Sequence, residues 1–177
     1  MDDAYRPRGV EHIGLSVPDI EEAIRFFEEA LGCEVWYSAG PIAMPDGTWM
    51  TDNLDLHPRA AISKVAMVRC ANGPSFEVFQ FDAPEQVQRW PKMSDWGGTH
   101  IAFYVDDFDA ALARVEAHGA RILGGKKSGN GAEAGDESFF AHFLTPWGQL
   151  LEFVSYPHGR RYMDEGQAPL WRPDPLS

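Results

Sequence analysis

The sequence predicts an α+β fold made of two tandem βαβββ modules, which together form an incomplete eight-stranded barrel. Two observations carry this prediction. The first is an internal repeat, in which residues 11–19 align with residues 99–107 and place His12 on His100 and Asp19 on Asp107. The second is that each copy opens a series of patterns typical of one strand, one amphipathic helix and three further strands. Because a duplicated unit repeats its fold, both halves are predicted to have the same topology.

The first module is predicted to span residues 9–82. Its opening strand alternates, since Ile13, Leu15 and Val17 fall on one face and polar or small residues fall on the other. Asp19 is positioned to cap the helix that follows. The predicted elements are a strand at 10–17, a helix at 20–31, strands at 33–38, 61–70 and Ser75–Phe81, and a long loop at 39–60 that is expected to fold over a site.

A connector at 83–98 leads into the second module at 99–157, and a tail at 158–177 follows; together these parts make one domain. Tyr162 and Trp171 in the tail predict that it packs on the body of the protein or on a partner chain. The second module is predicted to contain strands at 99–105, 120–123, 138–144 and 149–156, a helix at 107–118 and a flexible loop at 124–137.

Composition and charge exclude several classes of function. The net charge of −12 argues against nucleic acid as a partner, because binding phosphates requires clustered Lys and Arg. No apolar run approaches the length of about 20 residues needed to span a membrane, and the acidic N-terminus has no apolar signal core, so the protein is expected in the cytoplasm. Cys33 and Cys70 lack metal-type spacing, and two buried free thiols are favoured over a disulfide.

The repeat also pairs candidate metal ligands. Each module supplies one histidine on its first strand, His12 or His100, and one glutamate on its last strand, Glu77 or Glu152. A carboxylate inside an apolar strand costs free energy unless it is paired, exposed or bound to a cation. A single strand histidine or glutamate is more often exposed or hydrogen-bonded, but four at duplicated positions favour one shared divalent transition metal.

The sequence resembles the vicinal oxygen chelate superfamily over roughly residues 9–157. This superfamily includes glyoxalase I, methylmalonyl-CoA epimerase, extradiol ring-cleaving dioxygenases, and bleomycin- and fosfomycin-resistance proteins, and the resemblance is closest to the first two. Members commonly form homodimers, and some assemble the metal site from two chains, so the resemblance implies a homodimer. It rests on four segments: Val10–Val17, Ser75–Val78, Thr99–Asp107 and Pro146–Glu152.

The resemblance implies a metal-dependent isomerase, epimerase or lyase. Its substrate would present two vicinal oxygens to Ni, Zn, Co or Mn, which acts as a Lewis acid and stabilises an enediolate during proton transfer next to a carbonyl. The resemblance implies Glu152 as the base, with Glu77, its counterpart in the other module, sharing that role. An Fe(II) extradiol dioxygenase is one alternative, although that pattern uses two histidines and one glutamate and does not use the position of Glu77. A binding or resistance protein without catalysis is the other alternative.

Further residues are predicted to bind substrate. Where the epimerases carry an additional acid before the third strand, this chain has Arg59, which could hold a carboxylate or phosphate or be a solvated loop residue. Tyr104 shares a strand face with His100, and it either donates a hydrogen bond to substrate or forms part of the wall. The remaining candidates are Phe79, Tyr156 and His142. Unlike His12 and His100, His142 has no counterpart in the other module, and such a histidine more often has a structural role.

Overall fold

The computed structural model describes Pro7, residues 9–42 and residues 47–165. The chain divides into two compact units, Met1–Gln88 and Arg89–Ser177, each containing one four-stranded sheet. Each unit runs strand, helix and three strands in order, so the predicted α+β class and βαβββ modules are confirmed. Within the described ranges, no helix has the length and apolar character needed to cross a membrane.

The elements of the first unit are β1 His12–Ser16, α1 Ile20–Arg25, β2 Glu34–Ala39, α2 Trp49–Leu54, β3 Ala61–Arg69 and β4 Ser75–Asp82. Helix α1 continues as a π-helical segment at Phe26–Ala30. The sheet has the strand order β1-β4-β3-β2. Strand β1 is parallel to β4, whereas β3 is antiparallel to both β2 and β4.

Local sequence accounts for the start of this unit. Leu15 and Val17 are buried, whereas His12 and Ser16 lie on the other face of β1, as alternation predicts. Asp19 caps α1, and its Oδ1 accepts hydrogen bonds from the backbone N–H of Glu21 at 2.9 Å and that of Glu22 at 3.0 Å. The apolar stripe of α1 and its π-helical continuation therefore packs on one face of the sheet.

The prediction of an unbroken loop at 39–60 was wrong, because this segment contains helix α2. Its Met50 is only 2% exposed and packs in a cluster with Ala60, Ile62 and Val65. Phe79 and Phe81 of β4 border the same cluster. Burial of this apolar patch outweighs the local preference of a segment rich in Pro, Gly, Asp and Asn for irregular structure. Through Met50, the segment packs against Phe79 of β4.

The second unit repeats the topology, with the strand order β5-β8-β7-β6. Strand β5 is parallel to β8, and β7 is antiparallel to β6 and β8. Asp107 caps the helix, and its Oδ1 accepts a hydrogen bond from the backbone N–H of Ala110 at 3.0 Å. The elements are β5 Ile101–Tyr104, α3 Phe108–Ala117, β6 Arg121–Ser128, β7 Phe139–Leu144, β8 Leu150–Ser155 and α4 Arg161–Glu165.

The flexible loop predicted at 124–137 is largely structured. Strand β6 continues to Ser128, where Lys127 pairs with Phe140, and a short 3₁₀ helix follows at Gly131–Glu133. The register shifts between Leu123 and Lys127, and Gly124 and Gly125 at this point have φ values of 70° and 68°. These glycines accommodate the irregularity because they lack a Cβ, so the strand resumes beyond them.

The prediction of two free thiols was also wrong, since Cys33 and Cys70 form a disulfide. Cys33 immediately precedes β2 and Cys70 immediately follows β3. Glu34 and Arg69, the residues next to them, are partners in the antiparallel ladder. Strand pairing therefore brings the two cysteines to a Cα–Cα distance of 4.3 Å, close to the range in which a disulfide forms.

The start of the predicted tail packs against the second unit. Arg160 is 7% exposed, and it donates hydrogen bonds to Ser138 Oγ and Glu133 Oε1, both at 3.2 Å. The backbone N–H of Arg161 donates to the carbonyl of Ala134 at 2.9 Å. Packing on the body is therefore observed through Arg160, whereas Trp171 lies outside the described residues.

Candidate metal centre

The first unit places His12 and Glu77 side by side. Gly14 of β1 is the parallel partner of Glu77 on β4, and His12 lies two residues earlier on the same face of β1. His12 Nε2 is 3.5 Å from Glu77 Oε2, and the side chains are 43% and 27% exposed. The pair therefore lies on an accessible sheet face, opposite the face that packs on α1.

The second unit repeats this arrangement with the same register. Ala102 of β5 is the parallel partner of Glu152 on β8, and His100 lies two residues before Ala102. His100 Nε2 is 3.2 Å from Glu152 Oε2. Leu151 and Phe153, which flank Glu152, are buried and point to the opposite face. A His–Glu pair is thus present within each unit, at positions that the repeat relates.

His142 joins the pair in the second unit. It is the antiparallel partner of Glu152, and its neighbours Ala141 and Phe143 are fully buried on the other face. His142 Nε2 is 3.6 Å from Glu152 Oε1, so each carboxylate oxygen of Glu152 faces its own imidazole. Among the described residues, His100, His142 and Glu152 offer ligand atoms that all lie within 4.8 Å of one another.

These separations fit a divalent metal ion. Two nitrogen or oxygen ligands at about 2.1 Å from one ion, in tetrahedral or octahedral geometry, lie about 3.0–3.5 Å apart. The His100–Glu152 separation of 3.2 Å falls within this range, and the His142–Glu152 separation of 3.6 Å lies close to it. Imidazole and carboxylate are also the ligands that Zn, Ni, Co, Mn and Fe(II) accept. The donor set therefore suits the metal that the sequence predicts.

The two units differ at the position of His142. In the first unit, the antiparallel partner of Glu77 is Met67. A thioether is a poor ligand for the harder divalent ions, which prefer nitrogen and oxygen donors. Within the described part of the first unit, no third His, Cys, Asp or Glu joins His12 and Glu77 in such a cluster. The duplication is therefore symmetric in its His–Glu pairs but not in its third donor.

Sequence reasoning missed Glu11 as a neighbour of this site. A Glu11 carboxylate oxygen accepts a hydrogen bond from His12 Nδ1. This hydrogen bond raises the pKa of His12 above its ordinary value, and the negative charges of Glu11 and Glu77 act in the same direction. Carboxylates that bind the second nitrogen of a metal-ligating histidine fix its tautomer, so Glu11 leaves Nε2 directed toward Glu77. Adjacency of the two residues in the sequence was the available signal.

Aromatic residues extend the face that carries Glu152. The rings of Tyr104 and Tyr156 meet edge to face with centroids 5.0 Å apart, and the Phe140 ring lies 5.9 Å from that of His142. The guanidinium of Arg160 stacks on Tyr156 at 4.5 Å. In the first unit, Phe79 and Phe81 stack at 5.3 Å. Tyr104, at the end of β5, and Tyr156, directly after β8, thus form a partly exposed wall beside the His–Glu pair.

Arg59 lies away from the His–Glu pair of its own unit. It is exposed in the turn before β3, where its backbone N–H donates to His57 Nδ1 at 3.0 Å. Glu77 pairs with Met67, six residues further along β3 than Ala61, which corresponds to about 20 Å of extended strand. The fold of the first unit therefore does not group Arg59 with His12 and Glu77.

Comparisons with known proteins agree with this architecture. The sequence matches the model of the Glyoxalase/Bleomycin resistance protein/Dioxygenase superfamily over residues 11–140. A 2-epi-5-epi-valiolone epimerase from Actinomyces sp is 36% identical over 167 residues, which cover 93% of this chain and 88% of that protein.

Solved structures share the fold at lower identity. A glyoxalase family protein from Bacillus cereus is 20% identical, with a TM-score of 0.68 over 86% of this chain and 96% of that chain. A mutant of the fosfomycin resistance protein FosX from Listeria monocytogenes, complexed with Mn(II) and 1S,2S-dihydroxypropylphosphonic acid, is 17% identical, with a TM-score of 0.58 over 91% and 100% of the two chains. These structural likenesses show the fold alone.

Proposed function

Since the chain belongs to the glyoxalase/bleomycin resistance protein/dioxygenase superfamily, we propose that it is an epimerase that inverts a carbon centre next to the carbonyl of a small polyhydroxylated ketone. The observation that carries this proposal is the Glu152 carboxylate, held between His100 and His142 on a partly exposed sheet face. A carboxylate in this setting suits abstraction of a proton from carbon. The sequence predicts an isomerase, an epimerase or a lyase. Of these three classes, the epimerase relative favours the second.

The proposed substrate is a cyclic ketone of the valiolone type, with a hydroxyl on the carbon next to the carbonyl. Such an α-hydroxy ketone presents two vicinal oxygens. The α C–H bond of such a ketone is acidic, because the electron pair of that bond moves onto the carbonyl oxygen when the proton departs. The tyrosine wall at Tyr104 and Tyr156 supports this choice, since each side chain combines a flat ring for the C–H face of a carbocycle with a hydroxyl that binds polar groups.

We propose that one divalent ion is held by His12, Glu77, His100 and Glu152, either within one chain or across a dimer. The equivalent register of the two His–Glu pairs supports this assignment. When bound, Ni, Zn, Co or Mn would act as a Lewis acid that draws electron density from the substrate carbonyl. Glu11 orients His12 for this role through the hydrogen bond to Nδ1.

Epimerisation needs a proton to leave one face of the carbon and return on the other. Glu152 accepts the α proton as the C–H bond breaks, and the electron pair moves to the carbonyl oxygen. Glu77, its counterpart in the other module, enters the cycle protonated and delivers its proton to the opposite face, as the electron pair returns from the carbonyl oxygen to carbon and the new C–H bond forms. Transfer of the proton from Glu152 to Glu77 through solvent then restores both groups for the next cycle. A single carboxylate that returned the proton to the same face would regenerate the substrate. The reaction is redox-neutral, so it needs no oxidant or reductant.

Proton exchange in D₂O tests this proposal directly. The metal-loaded chain is incubated with a valiolone-type ketone and followed by ¹H NMR. The expected result is loss of the α-proton signal together with the appearance of the epimer. Absence of both changes with the fully metal-loaded chain, over a panel of α-hydroxy cyclic ketones, would contradict the proposal.

A ring-cleaving Fe(II) dioxygenase is the second candidate. His100, His142 and Glu152 have the composition of two histidines and one carboxylate that is typical of non-haem Fe(II) oxygenases. The discriminating measurement is anaerobic reconstitution with Fe(II), followed by addition of catechol and air. Oxygen uptake with formation of a yellow ring-cleavage product would favour this candidate over the epimerase.

The proposal keeps the homodimer expected from the sequence. Sedimentation equilibrium of the purified chain, with and without metal, tests the dimer. A monomer that retains full epimerase activity would exclude a metal site shared across two chains.

A further inference from the structure

We infer that the second unit holds the metal ion by itself, with His100, His142 and Glu152 as its three protein ligands, and that His12 and Glu77 only add to the affinity. This inference rests on the proposed function in one respect, namely that a divalent ion is the cofactor. It adds His142 to the proposed ligands, and it assigns most of the affinity for the metal ion to the second module.

The sheet itself fixes the distance between His142 and Glu152. A tight turn joins β7 to β8, in which the backbone N–H of Thr145 donates to the carbonyl of Gln149 and the N–H of Gln149 donates to Thr145 Oγ1, both at 3.0 Å. Gln149 is fully buried. This turn sets the antiparallel register that opposes His142 to Glu152. The two ligands are therefore placed before any ion binds, which lowers the entropy cost of binding.

His100 stands directly before β5, whose parallel pairing with β8 begins at Ile101 and Leu151. This register places His100 two residues before Ala102, the partner of Glu152. The His100 and His142 rings lie 5.5 Å apart at an interplanar angle of 69°. One donor on β7, one on β8 and one directly before β5 thus meet on one sheet, in which β8 lies between the other two strands.

The charge of Glu152 supports a bound cation. Its side chain is only 13% exposed, and among the described residues both of its ion-pair partners are histidines. A poorly solvated carboxylate is costly unless it is well paired or bound to a cation. A divalent ion between the three side chains would remove this cost.

The first unit is less well suited to hold an ion alone. It offers the two donors His12 and Glu77, and Met67 stands where the second unit has His142. Glu77 and His12 are also more exposed than Glu152 and His100, so water competes more strongly for the ion. Three fixed donors bind a divalent ion far more tightly than two, because the third adds a bond with little further loss of entropy.

Metal titration of the full-length chain tests the inference. The apo chain, the His142→Met variant and the His12→Ala/Glu77→Gln double variant are titrated with Co²⁺ by calorimetry and by visible absorption. His142→Met introduces the residue found at the equivalent position of the first unit. This variant should weaken Co²⁺ binding about 100-fold or more, because the loss of even an outer-shell partner of a metal ligand costs roughly 10–100-fold in affinity. The double variant is expected to bind one equivalent within about 10-fold of the wild-type affinity.

Two results would overturn the inference: wild-type affinity in His142→Met, or loss of binding in the double variant. His158→Asn is the matched control, because it removes an exposed histidine of the same unit that pairs with Glu137 and lies outside the ligand cluster; it is expected to bind Co²⁺ like the wild type. Circular dichroism reports folding, and His142→Asn replaces the methionine variant if that variant does not fold. Absence of Co²⁺ and Zn²⁺ binding in the wild type would also refute the inference. Failure of α-proton exchange in a chain that binds metal as described would instead count against the epimerase alone.

Discussion

At the scale of the residue, the proposed metal site and the proposed proton transfer both depend on Glu152. One carboxylate oxygen faces His100 and the other faces His142, while the flanking Leu151 and Phe153 are buried on the opposite face. This alternation isolates one carboxylate on an otherwise apolar strand. In the proposed function, this carboxylate both binds a cation and accepts a proton. His142 would then supply a further donor that keeps the ion bound when Glu152 is protonated.

Replacing this carboxylate is expected to abolish most of the activity. We expect Glu152→Gln, assayed at saturating metal, to lower kcat by about 100-fold or more, since an amide cannot accept the α proton and a general base contributes roughly that factor. The measurement is the rate of α-proton exchange in D₂O. Glu34→Gln, at an exposed position of β2, is the matched control and should exchange at the wild-type rate. Equal rates for the two variants would rule out Glu152 as the base.

Asp95 organises the turn that precedes His100. Its carboxylate accepts hydrogen bonds from the backbone N–H of Lys92 at 3.0 Å and from Arg89 Nη1 at 2.9 Å. The Lys92 hydrogen bond, followed by that of Arg89, lowers the pKa of Asp95 from its ordinary value of 3.8. A lowered pKa in the folded state means that the ionised carboxylate stabilises the turn above pH 3.8, and that this contribution is lost as the pH falls through the folded-state pKa.

Amide exchange at Lys92 therefore reports this ionisation. We expect its protection factor to be constant near neutral pH and to fall once the pH drops below 3.8. In Asp95→Asn, protection at Lys92 should be low at every pH, because the neutral amide oxygen is a weaker acceptor. An unchanged protection factor in the wild type from pH 6 to well below 3.8 would contradict the assignment.

At the scale of the element, Arg160 fastens the end of β8 to the segment before β7. It donates to Ser138 Oγ and Glu133 Oε1, and its guanidinium lies over the Tyr156 ring. We expect Arg160→Met to lower the free energy of unfolding by about 2 kcal/mol, because it removes two charge-assisted hydrogen bonds and a cation–π contact. Urea denaturation measures this change.

The matched control for this variant is Glu133→Gln. It keeps the Ser138 hydrogen bond and the ring contact of Arg160, and the Glu133 side chain is 55% exposed. Because exposed ion pairs contribute little, the expected loss is below about 1 kcal/mol. Equal losses for the two variants would mean that the ion pair, rather than the buried contacts of Arg160, carries the stabilisation.

The disulfide links β2 to β3 within the first sheet. It joins residues 37 apart in the sequence, and closing a loop of this length lowers the entropy of the unfolded chain. We expect Cys70→Ser to lower the free energy of unfolding by about 3 kcal/mol. Thermal unfolding with and without reductant measures the effect, and reduced wild type should melt close to the variant. A variant as stable as the oxidised wild type would show that the cysteines are not joined in solution.

At the scale of the whole molecule, the metal content distinguishes a shared site from two separate ones. We expect one divalent ion per chain, because the proposed site uses the His–Glu pair of both modules for a single ion. Native mass spectrometry of the Zn²⁺-loaded chain, checked by elemental analysis, gives this number. Two equivalents of similar affinity would show that each module binds its own ion.

Much of this molecule follows from local sequence. The alternation around Leu15 and Val17 predicts β1, and the side chains of Asp19 and Asp107 cap the helices at the two equivalent positions. The repeat also indicates that each module supplies one histidine from its first strand and one glutamate from its last strand. These features depend on neighbours in the sequence or on the comparison of two copies, so no knowledge of the assembled sheet is needed.

Other features depend on contacts between segments distant in the sequence, and only the tertiary structure decided them. Helix α2 forms because Met50 finds an apolar patch beside Phe79, and the disulfide forms because β2 and β3 pair next to Cys33 and Cys70. His142 becomes a candidate ligand because the β7–β8 turn sets it opposite Glu152. Alternation assigns a strand residue to a face of the sheet, whereas pairing register assigns its neighbour across the sheet, and register is a property of the folded chain.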